Sequence, residues 1–246
     1  MPVRLSPTAG LLQLRWRSNS WRLKTLSTKY GGEGTIFMSE QETALRIGVL
    51  ALQGAFDVHA AMLRQLGATA VLIRKPSELH DPQGRPTLDG LIIPGGESTT
   101  FLKHLERDGF FDALNTFVRS TPTFGTCAGC ILLADDVQHP PQRSFAALDI
   151  TVERNAYGRQ IDSAILSAPT SLPGGPLEMV FIRAPRITRT GPAVETLAER
   201  NGFPVLVRQG HLLAATFHPE LSTDIRIHQL FLDLIRESKL ELQPTA

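Results

Sequence analysis

The sequence is poor in cysteine, carries almost no net charge and lacks a long hydrophobic run. Its 246 residues include two cysteines, and the formal net charge is +1 at pH 7. No apolar run approaches the ~20 residues of a membrane-spanning helix, which excludes a helical membrane protein. A disulfide framework needs more cysteines, so we expect a reducing, cytoplasmic location. No basic run with interleaved aromatic residues is present, and we expect no nucleic acid partner.

The two cysteines have a spacing that is found in metal sites and in redox sites. Cys127 and Cys130 form a C-x-x-C pair. A zinc site would need two further ligands at a similar spacing, and the sequence contains no such pair. We therefore expect no metal and no cofactor, while thioredoxin-type chemistry stays open as an alternative.

The first 45 residues differ from the rest of the chain. Residues 1–37 contain six arginine or lysine residues against one acidic residue, Glu33. This composition resembles that of a transit peptide, which would imply an organellar location. The alternative is a start codon placed upstream of the true one at Met38. In either case we expect residues 1–45 to be a disordered extension and residues 46–240 to form one globular domain.

From Arg46 onward, short apolar runs alternate with amphipathic segments. The run from Ile47 to Leu52 has the length of a strand, and residues 55–66 have helical spacing. Further strands are predicted at residues 71–73, 91–93, 122–124, 150–153, 164–166, 179–182, 205–207 and 212–217, and helices at 98–106, 110–119, 128–134 and about 224–238. Buried strands that alternate with helices predict an α/β fold with a doubly wound, mostly parallel sheet flanked by helices.

The pentapeptide Gly125-Thr126-Cys127-Ala128-Gly129 joins a predicted strand to a predicted helix. This is the pattern of a nucleophile elbow, in which small neighbours accommodate a strained backbone at the nucleophile. The positive end of the following helix would favour a thiolate on Cys127. A buried structural cysteine is the alternative, and we expect that role for Cys130, one helical turn further on. The pattern predicts that Cys127 is a nucleophile.

A histidine and a carboxylate that could serve this nucleophile follow a later strand. His218 and Glu220 flank Pro219 at the end of the strand predicted over 212–217. Side chains two apart in an extended segment lie on the same side, so Glu220 can orient the imidazole. Together with Cys127 they predict a Cys-His-Glu triad for acyl transfer. We expect the other histidines to be structural or exposed: His59, His80, His104, His139, His211 and His228.

The segment Pro94-Gly95-Gly96-Glu97-Ser98 also follows a predicted strand. A plain β-turn and a phosphate-binding loop are alternatives. The second is weak, because neither the G-x-x-x-x-G-K nor the G-x-G-x-x-G motif of phosphate-binding loops is present. A Gly-Gly pair exposes backbone N–H groups, which together with the N–H of Ala128 would form an oxyanion hole. Gln53, Gly95, Cys127 and His218 all fall at the carboxyl ends of predicted strands, where ligands bind in open α/β sheets.

Taken together, these motifs resemble those of the class I (triad) glutamine amidotransferases, which have a flavodoxin-like α/β fold. The closer resemblance is to the glutaminase subunits of pyridoxal 5′-phosphate synthase. It is carried by residues 48–54, 94–100, 124–129, 153–160, 181–185 and 217–221. Two features depart from it. Cys130 stands where members usually have an aliphatic residue, and Ala156-Tyr157 stands where they have a small residue followed by phenylalanine.

The resemblance implies hydrolysis of L-glutamine to L-glutamate and ammonia, in the biosynthesis of vitamin B6. It also implies that ammonia is channelled to a (β/α)₈-barrel synthase subunit in a large hetero-oligomer. By position, it assigns glutamine binding to Gly95, Gly96, Glu97, Arg154, Ile182 and Arg183, and it places Gln53 near an oxyanion hole formed by Gly96 and Ala128. The alternatives are a glutaminase subunit of another amidotransferase, a non-catalytic member of the same fold, and a cysteine peptidase.

Overall fold

The structure, a computed structural model, describes residues 44–154 and 164–241. The chain divides into two units, Met1–Thr43 and Ala44–Ala246, and all the described residues belong to the second. The expected N-terminal extension therefore lies outside the described residues, except for its last two positions. Ala156 and Tyr157 also lie outside them.

The described segments contain twelve strands and five α-helices. The strands are β1 (Arg46–Leu50), β2 (Thr69–Ile73), β3 (Gly90–Ile93), β4 (Thr123–Thr126), β5 (Ala134–Gln138), β6 (Leu148–Glu153), β7 (Ala164–Ala168), β8 (Leu177–Phe181), β9 (Arg186–Thr190), β10 (Glu195–Arg200), β11 (Phe203–Gln209) and β12 (Leu212–Ala215). The helices are α1 (Phe56–Gln65), α2 (Ser98–Leu105), α3 (Phe110–Val118), α4 (Ala128–Leu133) and α5 (Arg226–Glu241), with 3₁₀ turns at Pro76–Glu78 and Pro219–Leu221.

A seven-stranded sheet in the order β10-β11-β12-β4-β3-β1-β2 forms the centre. Strands β2, β1, β3, β4 and β12 are parallel, and β11 and β10 continue the sheet in antiparallel pairs. Two smaller sheets, β5-β6-β9 and β7-β8, lie outside it. The predicted mostly parallel α/β sheet is thus confirmed. Strand β12 ends at Ala215, however, two residues before the predicted end.

Helices cover both faces of this sheet, as buried parallel strands require. Phe101 of α2 and Phe117 of α3 pack in the core on one face, while Leu63 of α1 and Phe231 of α5 pack on the other. Gly90 opens β3 without a side chain, and a Cβ there would lie 2.6 Å from Cδ1 of Ile235. The missing side chain lets α5 approach β3 closely.

The parallel strands bring several of the predicted residues to one edge. Leu50, Ile93, Thr126 and Ala215 each end a strand of the parallel set, and Gln53, Gly95, Cys127 and His218 follow them within a few residues. Because carboxyl ends of parallel strands meet at the same edge, the topology gathers these residues there. No helix in the described part of the chain is long and apolar enough to cross a membrane.

Candidate active site

Cys127 occupies the sharp turn between β4 and α4. Its backbone has φ 48° and ψ −101°, and its N–H donates to the carbonyl oxygen of Ala215 at 2.8 Å. A positive φ is strained for a non-glycine residue and persists only where the surrounding structure imposes it. The flanking strand and helix impose it here, and they hold the thiol at the carboxyl edge of the sheet.

The glycines on either side of Cys127 leave no room for a side chain. A Cβ on Gly125 would lie 2.6 Å from the carbonyl carbon of Gly129, and a Cβ on Gly129 would overlap the carbonyl oxygen of Ile93. The elbow needs both glycines because α4 packs directly against β3 and β4. The spacing of the pentapeptide thus reflects a steric requirement, as predicted.

His218 is held between Cys127 and Glu220. Its backbone N–H donates to the carbonyl of Val180 at 2.8 Å, and its Nδ1 lies 2.8 Å from Oε1 of Glu220. Burial lowers the pKa of His218, but hydrogen bonds with Cys127 and Glu220 outweigh burial and raise it to about 10. Since Nδ1 is engaged by Glu220, Nε2 is the nitrogen available to the thiol. The imidazole is therefore a strong base beside the candidate nucleophile.

Glu220 lies in the 3₁₀ turn after β12, with a fully buried side chain. Burial raises the pKa of this carboxyl, while the nearby His59 and the hydrogen bond from His218 lower it, and the net direction is downward. A buried carboxylate of this kind orients the imidazole and stabilises its protonated form. The structure therefore brings Cys127, His218 and Glu220 together in the order of a triad.

The loop after β3 reaches the same site. A Cβ on Gly95 would overlap Cε1 of His218 and lie 3.3 Å from Cβ of Cys127. Gly96 has φ 140° and lies under the side chain of Gln53, whose Nε2 donates to the carbonyl of Glu97 at 2.6 Å. Ala128 follows Cys127 directly as the first residue of α4, where backbone N–H groups lack helical partners. Gly95 therefore borders both Cys127 and His218, and Ala128 adjoins Cys127 in the chain.

Glu97 and Arg154 form a charged pair near this loop. Glu97 caps α2, accepting from the backbone N–H of Thr100 at 2.7 Å, and lies 3.5 Å from Nη2 of Arg154. Burial raises the pKa of Glu97, but the hydrogen bonds from Thr99 and Thr100 dominate and lower it to about 2. The Arg154 side chain is largely buried, and its Nε has no hydrogen-bond partner. A buried guanidinium with a free donor suits recognition of a carboxylate.

Ile182 and Arg183 lie in the turn that follows β8. Both side chains are exposed, and Arg183 has φ 46°. The same strand contacts the backbone of His218 through Val180. The structure thus brings the turn to the side of the triad, but neither side chain forms a hydrogen bond or ion pair with a described triad residue.

Two histidines that the sequence predicts to be structural or exposed, His59 and His228, lie behind the triad. Nε2 of His59 is 3.3 Å from Oε2 of Glu220, and Nδ1 of His59 is 2.9 Å from Nε2 of His228. Both histidines are fully buried. The signal was present in the sequence, because both fall at inward positions of amphipathic helices, where a histidine needs a polar partner.

Cys130 takes no part in this arrangement. Both cysteines are free thiols, and Cys130 is fully buried in α4. Burial and the neighbouring Cys127 raise the pKa of its thiol, which makes it unreactive. Among the residues that the structure describes, no group of three or more His, Cys, Asp or Glu side chains is placed to hold a metal ion.

Comparisons with known proteins agree with this geometry. Residues 49–237 match the SNO glutamine amidotransferase family. The chain is 59% identical to the pyridoxal 5′-phosphate synthase subunit PdxT of Koribacter versatilis, with 78% of this chain and 96% of that protein aligned. It is 49% identical to the PdxT subunit of Solibacter usitatus over 76% and 97% of the two chains. A crystal structure of a glutamine amidotransferase superposes with a TM-score of 0.69 at 43% identity, covering 77% of this chain and 98% of the other.

Proposed function

Because this chain belongs to the SNO glutamine amidotransferase family, we propose that it hydrolyses L-glutamine as the glutaminase subunit of a pyridoxal 5′-phosphate synthase. The relatives that it resembles over most of their length are named as subunits of that synthase. The enzyme would then supply ammonia for the synthesis of the vitamin B6 cofactor.

One observation carries this proposal: a strained cysteine at a strand–helix elbow lies beside a buried histidine that is hydrogen-bonded to a buried glutamate. The 2.8 Å contact between Nδ1 of His218 and Oε1 of Glu220 leaves Nε2 as the ring nitrogen available to Cys127. An arrangement of nucleophile, base and orienting carboxylate is what acyl transfer from an amide needs.

The first half of the reaction releases ammonia. Nε2 of His218 takes the thiol proton, and the sulfur of Cys127 attacks the side-chain amide carbon of glutamine. The backbone N–H groups of Gly96 and Ala128 stabilise the negative oxygen of the tetrahedral intermediate, with the Gln53 side chain beside them. Each such donor lowers the barrier by about 3 kcal/mol. The protonated imidazole then gives its proton to the departing nitrogen, which leaves a γ-glutamyl thioester on Cys127.

The second half regenerates the thiol. The neutral imidazole of His218 takes a proton from water, and the resulting hydroxide attacks the thioester carbon. The carbon–sulfur bond breaks, glutamate leaves, and the imidazolium returns its proton to the sulfur. Glu220 keeps the ring in one orientation through both halves, since it stays bonded to Nδ1.

Glutamine recognition is assigned to Gly95, Gly96, Glu97, Arg154, Ile182 and Arg183. Within this set, the buried guanidinium of Arg154 provides the cation for the substrate α-carboxylate, and Glu97 holds that guanidinium in place. The free Nε of Arg154 supports this role, because an unpartnered buried donor is otherwise unfavourable.

We expect Arg154→Lys to raise KM for glutamine by about 10-fold or more while kcat changes little. A lysine keeps the charge but loses the paired donors that bind a carboxylate, and hydrogen bonds to charged groups are worth about 1.5–3 kcal/mol. Steady-state ammonia release at several glutamine concentrations measures both constants. Arg189→Lys is the matched control, because Arg189 pairs with Asp149 near the start of β6, at the opposite end of that strand from Arg154. An unchanged KM in Arg154→Lys would contradict the assignment.

The partner in this proposal is a (β/α)₈-barrel synthase subunit, joined with this chain in a large hetero-oligomer. Ammonia passes to it through a closed path. The proposal includes neither a membrane nor a nucleic acid partner. We place the amidotransferase domain at residues 46–240, since the family match begins at 49 and ends at 237. Free thiols support a cytoplasmic location, and an organellar one is the alternative if residues 1–37 act as a transit peptide.

The test is an assay of ammonia and glutamate release from L-glutamine by the full chain, alone and mixed with the synthase subunit. We expect equal amounts of the two products and a turnover that rises at least several-fold on mixing. Hydrolysis that fails in both arms would refute the glutaminase proposal. Equal turnover with and without the partner would refute the coupling to the synthase while leaving the glutaminase reaction in place.

A further inference from the structure

Behind the triad, three buried polar side chains from three different elements form a continuous row. Glu220 of the 3₁₀ turn, His59 of α1 and His228 of α5 are joined by contacts of 3.3 Å and 2.9 Å. The rings of Phe124 and Phe231 line this row. Because the surroundings are apolar and closed, these polar atoms must satisfy one another.

The second oxygen of Glu220 lacks a conventional partner. Oε1 is bonded to His218, whereas Oε2 has no hydrogen bond of standard geometry and lies 3.3 Å from Nε2 of His59. The same nitrogen is 3.3 Å from Oγ1 of Thr126, a hydroxyl that can donate or accept according to the tautomer of the ring. An ionised carboxylate oxygen in an apolar interior needs a donor, and His59 is placed to provide it.

Only one distribution of protons satisfies the row. If Nε2 of His59 carries the proton and donates to Glu220, its Nδ1 accepts, so Nε2 of His228 must donate. Nδ1 of His228, which has no partner, then carries only a lone pair. Both rings are neutral in this arrangement. Burial lowers the pKa of His59 and lowers that of His228 to about 3, in agreement with it.

The opposite placement of the protons on His59 and His228 has two unfavourable consequences. With the proton of His59 on Nδ1, the lone pair of its Nε2 would face the negative oxygen of Glu220. The unpartnered Nδ1 of His228 would then carry an N–H group buried without an acceptor, which is rarer and more unfavourable than an unused lone pair. The row is therefore directed: His228 donates to His59, and His59 donates to Glu220.

We propose that His59 is a positioning residue for the triad, which holds the second oxygen of Glu220 through its Nε2–H in a tautomer fixed by His228. This inference rests on the proposed glutaminase reaction for its kinetic consequence. With both oxygens held, the carboxylate stays in one orientation and stays ionised. His218 then keeps the orientation that serves Cys127. Without His59, Glu220 can rotate away or take up a proton in its apolar pocket.

The titratable groups that face Glu220 come from each element packed around it. They are His59 from α1, His228 from α5 and His218 from its own turn, while Cys127 from the elbow faces His218. Glu178 of β8, which also packs against the turn, bonds Ser222 at 2.7 Å instead. Asp57 and Arg64 of α1 are exposed. Loss of the His59 donor would thus act on Glu220 first, by raising its pKa.

The test compares His59→Asn with His59→Gln. Both replace the ring by an amide, but only the glutamine amide nitrogen stands as many bonds from Cβ as Nε2 of histidine does. We expect His59→Asn to lower kcat about 10- to 100-fold and to move the acid limb of the kcat/KM profile up by about one pH unit. His59→Gln should recover activity to within about 3-fold of the natural enzyme. The assay uses the full chain with the synthase subunit.

A second measurement separates this inference from the glutaminase proposal. The rate of alkylation of Cys127 by iodoacetamide, located by mass spectrometry across a range of pH, needs no substrate. We expect the acid limb of the alkylation rate to move to higher pH in His59→Asn and to lie at the natural enzyme's pH in His59→Gln. This holds whether or not the chain hydrolyses glutamine. His211→Asn is the control, because His211 bonds the carbonyl of Val118 far from the triad.

Two results would overturn the proposal. One is that the acid limb of either pH profile, kcat/KM or alkylation rate, is the same in His59→Asn as in the natural enzyme. Thermal unfolding must show that this variant is folded. The other is an equal loss in the asparagine and glutamine variants, which would mean that the ring acts through packing alone.

Discussion

Replacing Cys127 by alanine is expected to abolish ammonia release while the fold persists. In comparable triads, loss of the nucleophile lowers kcat by about 10⁴- to 10⁶-fold, because the remaining groups cannot form the covalent intermediate. The thiol makes no backbone hydrogen bond that alanine would lose, since the N–H of residue 127 donates to Ala215 whatever the side chain. Ammonia release by the complex with the synthase subunit, and thermal unfolding of the variant, measure the two parts of this expectation.

Cys130→Ala serves as the control for this variant. Cys130 is fully buried, so its replacement leaves a small cavity that lowers the free energy of unfolding by about 1 kcal/mol. It should leave kcat within a few-fold of the natural enzyme. Activity above a trace in Cys127→Ala would refute the thioester route, and a large loss in Cys130→Ala would give the second thiol a role that the structure does not support.

The second large effect is expected from Gly95→Ala, which adds a methyl group beside the triad. The new Cβ would overlap Cε1 of His218 and lie 2.9 Å from Nδ1 of the same ring. The imidazole must move, which disturbs its contacts with Glu220 and Cys127 together. Because a displacement of ~1 Å can lower the rate about 10²-fold, we expect kcat to fall by at least that factor. Ammonia release and iodoacetamide labelling of Cys127 should fall together.

Gly84→Ala is the matched control for this glycine. Gly84 has φ 77°, and no atom lies within 4 Å of the position of a new Cβ. Alanine there strains a surface turn by about 1 kcal/mol but touches nothing in the site. The free energy of unfolding should therefore fall slightly while kcat is unchanged. If Gly95→Ala retained the natural kcat, the close approach of this loop to His218 would not be needed for catalysis.

The elbow and the triad could be predicted from the sequence because their physical causes are local. Gly125 and Gly129 are needed for close packing around Cys127, and that need leaves a fixed spacing in the chain. The pair His218 and Glu220 is likewise local, but the predicted reason was wrong: the segment is not extended at Glu220. A 3₁₀ turn at Pro219–Leu221 brings Oε1 of Glu220 to 2.8 Å from Nδ1 of His218 instead. Their meeting with Cys127 followed from the parallel sheet, whose carboxyl ends share one edge.

The support behind the triad could not be predicted, because it is non-local. His59 and His228 are 169 residues apart. The carboxylates near them in sequence do not serve them, because Asp57 is exposed and Asp224 pairs with Arg226. Their inward positions were visible from helical spacing, but that pattern does not identify a partner on another element. Only the packing of α1 and α5 on the same face of the sheet brings them to Glu220.

Three strands were also missed, for identifiable reasons. Strand β5 contains Asp135 and Asp136, which are exposed and disfavour strands, and β9 is mostly polar. In β10, a bulge at Ala198 breaks the alternation, so that Leu197 and Ala198 are both buried although they are adjacent. A period of two residues therefore could not be recognised there.

The pairing of β4 has a consequence for the synthesis of the chain. Thr123 of β4 pairs with Leu91 of β3 on one side and with Leu212 of β12 on the other. The second contact joins segments far apart in sequence, and such contacts of high contact order form slowly. A nascent polypeptide therefore exposes its elbow cysteine to the ribosome exit and the chaperones long before it acquires its imidazole. Products truncated before His218 therefore lack the base of the triad and stay catalytically silent.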